Sequence, residues 1–206
     1  IAEFHPRWVE EPVLPDKIDQ YAQVRRALNA MGIPVSGGEH EYTRWGLKQL
    51  MDAQAVDVLQ PDIYWCGGIS ETLKILAIAS TFDLPVIPHG HSTLATMHVI
   101  AAMPPNLCPL LEFLVKWNEI LQFFYKNPVL PVNGVVTVPT GPGMGVEIDP
   151  AKIDSEREFK IQSFAETFGL NASDLVDWST APENPDYIVA SADEIRMDPL
   201  LGLGTI

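Results

Sequence analysis

The chain is 206 residues long and 47% hydrophobic, which is enough to bury a core of its own. Thirteen basic against 27 acidic side chains leave a net charge of −14, which argues against nucleic acid or an anionic membrane as partner; an anionic ligand needs locally placed cations. Two cysteines, Cys66 and Cys108, show no CxxC spacing, the N-terminus resembles no signal peptide, and no apolar run reaches 18 residues, so the expected setting is reduced and cytoplasmic.

Taken in chain order, "RWVEEP" (7–12) reads as a strand, and the following stretch carries Ile18, Tyr21, Val24, Leu28 and Met31 at helical spacing until Gly32 stops it. "IPVSGGE" is a second short apolar run, followed by "TRWGLKQLMDAQA" with Leu47, Leu50 and Met51 on one helical face. The order repeats as "VDVLQP" then "ISETLKILAIASTFD", and again as "LPVIPHG" then "STLATMHVIAAM", before a last apolar segment, "LCPLLEF". Nearly unbroken apolar strands alternating with helices predict an α/β fold with parallel strands covered by helices. Beyond Phe113 the chain turns irregular and rich in proline and glycine, through "NPVLPVNGVVTVPTGPGMGVEIDP". From Ser155 one further helix is predicted, with Ser155 and Glu158 at capping-box spacing and Ile161, Phe164, Ala165 and Phe168 on one face; the remainder has weak periodicity.

Each predicted strand ends in a polar residue: Glu10, Glu39, Asp62, His89 and Glu112, between 23 and 29 residues apart. Parallel strands present their C-terminal ends on one face, so this spacing predicts a common rim and favours part of a barrel over a doubly wound sheet, whose ligands gather at one switch point. Neighbouring strands lie about 4.8 Å apart, so Glu10 and Glu39 are placed to reach one hard cation, and oxygen-only ligands favour magnesium over zinc. Acids in such loops are also common as plain surface charges. Asp62 and His89 end the next two strands, where a carboxylate can orient an imidazole for general acid/base work; a hydrogen-bonded structural histidine is the other reading, for His40 and His91 as well. Tyr64 and Trp65 suit a pocket wall or simple packing. Gly67-Gly68 matches neither GxGxxG nor a P-loop and reads as a tight strand-to-helix connection, and no GxSxG elbow is present.

Together "WVEEP", "SGGEHEY", "VLQPDIYWCGGIS", "VIPHGHS", "PLLEF" and "VPTGPGMGVEID", in this order, resemble the C-terminal half of the enolase superfamily, mandelate-racemase branch, and within it acid-sugar dehydratases of the rhamnonate type. The resemblance covers about residues 1–153 and implies strands 4 to 8 of a (β/α)-barrel. It implies Glu10 and Glu39 as magnesium ligands, Asp62 and His89 as the catalytic dyad, and Glu112 as an acid on the enolate side of the substrate. It also implies His40, with Trp65 and His91, as substrate contacts, a small sugar acid as substrate, and a homo-oligomer for the full-length parent.

The implied organisation is a partial barrel over 1–127, an extended segment over 128–153 returning toward a capping domain outside this sequence, and an extension over 154–206, helix plus irregular. The expectation is that the chain is a fragment: the family's first metal ligand, an Asp on the third strand, would lie before Ile1. The alternatives left open are an epimerase or racemase of the same superfamily and a non-catalytic binding or scaffold protein.

Overall fold

The computed structural model describes residues 1–153 and the backbone of two short strands further on, Arg196–Met197 and Gly204–Thr205, which pair antiparallel. The helix predicted from Ser155 lies outside the described residues. The chain divides into two units, Ile1–Ile153 and Asp154–Ile206, and the site belongs to the first.

In that unit β1 (Val9–Glu10), β2 (Val35–Gly37) and β3 (Val58–Leu59) form a parallel sheet in the order β1-β2-β3, with Val9 opposite Val35 and Ser36 opposite Val58. Helices α1 (Ile18–Asn29), α2 (Thr43–Asp52), α3 (Gly68–Ser80) and α4 (Thr93–Ala101) alternate with the strands as the periodicity predicts. A short α5 (Val115–Leu121) follows, in a stretch where sequence periodicity indicated no helix. Parallel strands buried under helices explain why β2 and β3 are buried at every position.

The core joins Tyr21 of α1, Leu47, Leu50 and Met51 of α2, Val35 and Leu59 of the sheet, and Ile75, Leu76 and Ala79 of α3. Met31 departs from its predicted place: α1 stops at Asn29, the chain turns through Gly32, and the Met31 side chain is exposed. Cys66 and Cys108 are free and buried. Gly67 and Gly68, both at positive φ, make the tight entry into α3 expected of them.

Only part of the predicted fourth and fifth strands forms. Leu59 and Val86 make one parallel bridge, and beyond it the Val86 N–H donates to the Leu107 carbonyl at 2.7 Å without a further strand. Proline is the physical reason. Pro85 and Pro88 flank Val86-Ile87, and Pro109 follows Cys108, so the backbone donors that would extend each ladder are missing. The rim still forms, because Ile87 N–H donates to the Leu59 carbonyl and His89 N–H to the Pro61 carbonyl, which sets His89 beside Asp62. Residues 128–153 close back on the region after α5, with bridges Val132–Val135 and Tyr125–Ile148 and a 3-10 turn over Pro150–Lys152. Among the described residues no helix is long and apolar enough to cross a membrane.

Two residues generate testable consequences. Asp57 ties helix to sheet: its carboxylate accepts from Arg25 Nε at 2.8 Å, Asn29 Nδ2 at 3.1 Å and the Val35 N–H at 2.8 Å, while its own N–H donates to the Val35 carbonyl. Burial pushes its pKa up, but the Arg25, Val35 and Asn29 donors outweigh this and hold it below 3.8. A depressed carboxylate pKa contributes stability present above the unfolded value and lost as pH falls through the folded one. Asp57→Ala is therefore expected to cost about 2 kcal/mol in urea unfolding at pH 7, discounted for partial exposure, with the gap from the parent chain narrowing below about pH 4.

Gly90 opens the 3-10 turn before α4, and a Cβ there would lie 2.9 Å from the Glu112 carbonyl oxygen and 3.0 Å from Leu114 Cγ. Gly90→Ala is expected to lower stability by about 1–3 kcal/mol through overpacking against backbone. A melting temperature equal to the parent's would show that this approach is not as close as described.

Candidate active site

The C-terminal ends of β1, β2 and β3 and the segment after Val86 place their polar residues on one rim, and the loops beyond them line a half-open cavity of about 300 Å³. It is lined by the polar side chains of Glu39, His40, Asp62, His89 and His91 and by Trp65, Leu114 and Trp117.

Asp62 is the fixed point. It is 1% exposed, and its Oδ1 accepts from the Tyr64 N–H at 2.8 Å and the Trp65 N–H at 3.3 Å, so the turn after β3 locks its rotamer. Its Oδ2 lies 2.9 Å from His89 Nδ1. An ionised carboxylate only accepts, so His89 Nδ1–H donates and the Nε2 lone pair is left free in the neutral imidazole, 3.4 Å from Glu39 Oε2. Burial pulls the His89 pKa down, yet the hydrogen bond it donates to Asp62 and the charges of Glu39, Glu112 and Asp62 outweigh it, and the net shift is upward from 6.5.

His91 stacks beside His89, with centroids 6.3 Å apart, and its Nδ1 stands 3.8 Å from Asp62 Oδ2, outside hydrogen-bond reach. Tyr64 and Trp117 meet its ring edge-on at 6.3 and 6.1 Å. Ser92 is buried and its Oγ accepts from the Ile63 N–H, a structural tie between loops.

Glu112 follows the segment that ends at Cys108, and its Oε2 accepts from the Gly90 N–H at 2.8 Å. Burial pushes its pKa up, the Gly90 donor pulls it down, and the charge of Glu10 adds to the rise. The net direction is up.

The acids at the other end of the rim are arranged differently from the simplest reading of their spacing. Glu10 sits at the exposed end of β1, its Oε2 accepting from Trp8 Nε1 and Gln60 Nε2, both at 3.2 Å. Glu11, which the sequence did not single out, turns inward because its backbone is left-handed at φ 42°. Glu11, Glu39 and His40 each offer a ligand atom within 4.8 Å of the others, with His40 Nε2 3.2 Å from Glu11 Oε2 and 3.5 Å from Glu39 Oε1. The signal for Glu11 was its adjacency to Glu10; what was missing was the left-handed turn. Trp65 packs edge-on to His40 and stacks on Tyr42, so it walls the cavity instead of filling the core.

These residues fit a hard divalent cation. Glu11 Oε1 is buried without a hydrogen-bond partner, and its pKa is raised first by burial and then by the charge of Glu39, against which His40 and the Gly38 backbone donor act only in part. The carboxylate oxygens of Glu11 and Glu39 suit a hard cation, and the His40 nitrogen beside them is a donor that softer divalent metals also accept.

The sequence profile described as "Enolase C-terminal domain-like" matches residues 1–152. A D-galactarolactone cycloisomerase of Agrobacterium fabrum is 40% identical over 164 residues, covering 75% of this chain and 42% of that protein. An L-rhamnonate dehydratase of Saccharopolyspora erythraea is 36% identical over 157 residues, covering 72% of this chain and 39% of that protein. Among solved structures, rhamnonate dehydratase from Gibberella zeae complexed with Mg superposes with a TM-score of 0.65 at 31% identity, over 73% of this chain and 38% of that one. This chain thus spans about two fifths of the length of the curated relatives it matches. With an α/β architecture that is the C-terminal part of an enolase-type (β/α)-barrel, the chain belongs to the enolase C-terminal domain-like family.

Proposed function

We propose that this chain carries the proton-transfer half of a magnesium-dependent acid-sugar dehydratase acting in the cytoplasm, which removes the proton α to a carboxylate and eliminates water to give a 2-keto-3-deoxy sugar acid. The observation that carries the reading is the His89–Asp62 pair, with Nδ1 committed to a buried carboxylate and Nε2 beside Glu39 in a half-open cavity. Neutral His89 takes the C2 proton on Nε2, and the C–H electron pair becomes the C1–C2 double bond of an enediolate. When this collapses, the C3–oxygen bond breaks and the imidazolium returns its proton to the departing hydroxide, so water leaves and the enol product tautomerises to the ketone. Asp62 stabilises the imidazolium and fixes its orientation through both steps. Glu112, whose pKa is raised by burial, takes the place on the enolate side of the substrate that the family resemblance implies.

Glu39 would hold magnesium, with Glu10 as the second ligand that the family resemblance implies and with Glu11 and His40 as the side chains whose ligand atoms lie within reach of Glu39. When bound, the ion supplies positive charge that offsets the second negative charge developing as the proton leaves. The relative at 40% identity favours a second reading, isomerisation of a sugar-acid lactone, which would use the same proton abstraction without net loss of water.

The test is the full-length protein with magnesium and a panel of aldonates and their lactones, following 2-keto acid by semicarbazone absorbance and lactone isomers by NMR. Keto acid from an open-chain acid is expected; isomerised lactone without keto acid would move the assignment to the second reading. His89→Asn is expected to lower kcat by about 10²–10⁴-fold while ligand binding persists.

Asp62→Asn is expected to lower the His89 pKa in an NMR titration of the metal-free protein. Because the folded His89 pKa is raised, its contribution to stability is complete below the unfolded value of 6.5 and is lost as pH rises through the folded value. The stability difference between Asp62→Asn and the parent should therefore be larger near pH 6 than above pH 8.

A further inference from the structure

Tyr21 is a core residue with a polar end that the core does not use. It stands on α1, is 1% exposed and belongs to the cluster with Val35 and Leu47, yet its hydroxyl has no hydrogen-bond partner among the described residues. Phenylalanine would fill the same space without burying a donor, and buried hydroxyls in folded proteins are nearly always bonded. A second orphan stands near the same strand end. Glu11 Oε1 is buried and lacks a donor as completely as the hydroxyl lacks an acceptor.

Three local features bring the two together. The end of the Tyr21 ring lies against the backbone of Gly37, where a Cβ would stand 2.9 Å from Oη and 3.2 Å from Cε1, so the hydroxyl reaches the end of β2 because that residue has no side chain. The Glu11 backbone is anchored one residue away, its N–H donating to the Ser36 carbonyl at 3.1 Å, and its left-handed φ of 42° turns the side chain toward the Gly38 amide. Hydroxyl and carboxylate thus approach consecutive residues of one turn, Gly37 and Gly38. The electrostatics agree: after burial, the charge of Glu11 acts most strongly in raising the Tyr21 pKa, ahead of Glu39, Glu41 and Glu10.

The other oxygen of Glu11 faces the cavity. Oε2 lies 3.2 Å from His40 Nε2, with Glu39 Oε1 next at 3.5 Å. Carboxylates only accept, so in the neutral ring Nε2 carries the hydrogen and Nδ1 keeps its lone pair. His40 is half-exposed where it lines the cavity, and its ring is steadied by Glu11 and by the Trp65 ring.

We propose that one enclosed water joins the two orphans, accepting from the Tyr21 hydroxyl and donating to Glu11 Oε1, and that Tyr21 is thereby a positioning residue that holds Glu11 against His40. A water bonded to both sides is the usual way in which neighbouring buried polar groups are satisfied. The tie runs from the α1 core through Glu11 to the cavity, and each of its side chains belongs to this chain. The use of His40 on a substrate rests on the dehydratase reading above, whereas the tie itself does not.

The experiment takes the full-length, metal-free protein and three measurements without turnover, so that an inactive parent would remove the dehydratase reading and not the tie. A high-resolution crystal structure is expected to show one water within hydrogen-bond distance of both Tyr21 Oη and Glu11 Oε1. Another side chain bonded to either atom, or no density joining them, would overturn the proposal. In urea unfolding, Tyr21→Phe is expected to lower the folded-to-unfolded ratio about five-fold in the parent and less than about two-fold in a Glu11→Ala background. Equal effects in the two backgrounds would overturn the pairing. The last measurement separates positioning from stability. The ratio of Nε2–H to Nδ1–H tautomer, read from ring-nitrogen NMR shifts at a pH where both imidazoles are neutral, is expected to fall about three-fold or more at His40 in Tyr21→Phe and to stay unchanged at His89, which Asp62 holds. No change at His40, or equal changes at both rings, would overturn the positioning role.

Discussion

The site depends on a ladder of very short parallel strands. Each is only two or three residues long, so a few backbone hydrogen bonds decide which side chains reach the rim: Glu11 N–H to the Ser36 carbonyl, Gln60 N–H to Gly37, His89 N–H to Pro61. A parallel register moves residues in pairs, and a slip of one position would turn Asp62 or His89 to the opposite face. The hydrophobic strands and the α2–α3 core beneath them act mainly to forbid that slip. Asp57 reinforces it by joining α1 to the start of β2 and to its own strand.

Upon this ladder the rim gathers more negative charge than its immediate donors neutralise. Glu11 and Glu112 are both pushed toward the protonated form, each by burial and by neighbouring carboxylates, while His89 is pushed toward the imidazolium. Burial raises the two acids and lowers His89, whereas the neighbouring carboxylates raise all three. The carboxylate contribution is one that a cation would relieve.

Much of this was legible in the sequence, for reasons that can be named. The alternation of short apolar runs with helical periodicity gave the order β1 to α4, because burial on both faces of a parallel strand leaves a continuous apolar signature. The polar strand ends marked the rim, since one βα unit separates each from the next. What escaped depended on backbone detail. The apolar residues around Pro85, Pro88 and Pro109 predict two strands, but the prolines leave one bridge and one hydrogen bond. Glu11 was passed over because nothing in a Glu-Glu dipeptide says which residue turns inward. Helix α5 carries Val115, Trp117, Ile120 and Leu121 largely exposed, so its apolar residues trace no buried stripe, and Trp117 could not be placed in the cavity by periodicity. The roles of Glu10, Glu39 and Glu112 came from the ordered resemblance of six motifs, which spacing alone could not supply.

The left-handed backbone at Glu11 has an evolutionary consequence. A non-glycine residue at φ 42° costs on the order of 1 kcal/mol or more, and here it also delivers a carboxylate into a crowded acidic cluster. Glycine at this position would relieve both penalties at once. Selection for thermal robustness alone would favour that exchange, whereas glutamate at position 11 sets an acid beside Glu39 and His40 at a cost in stability.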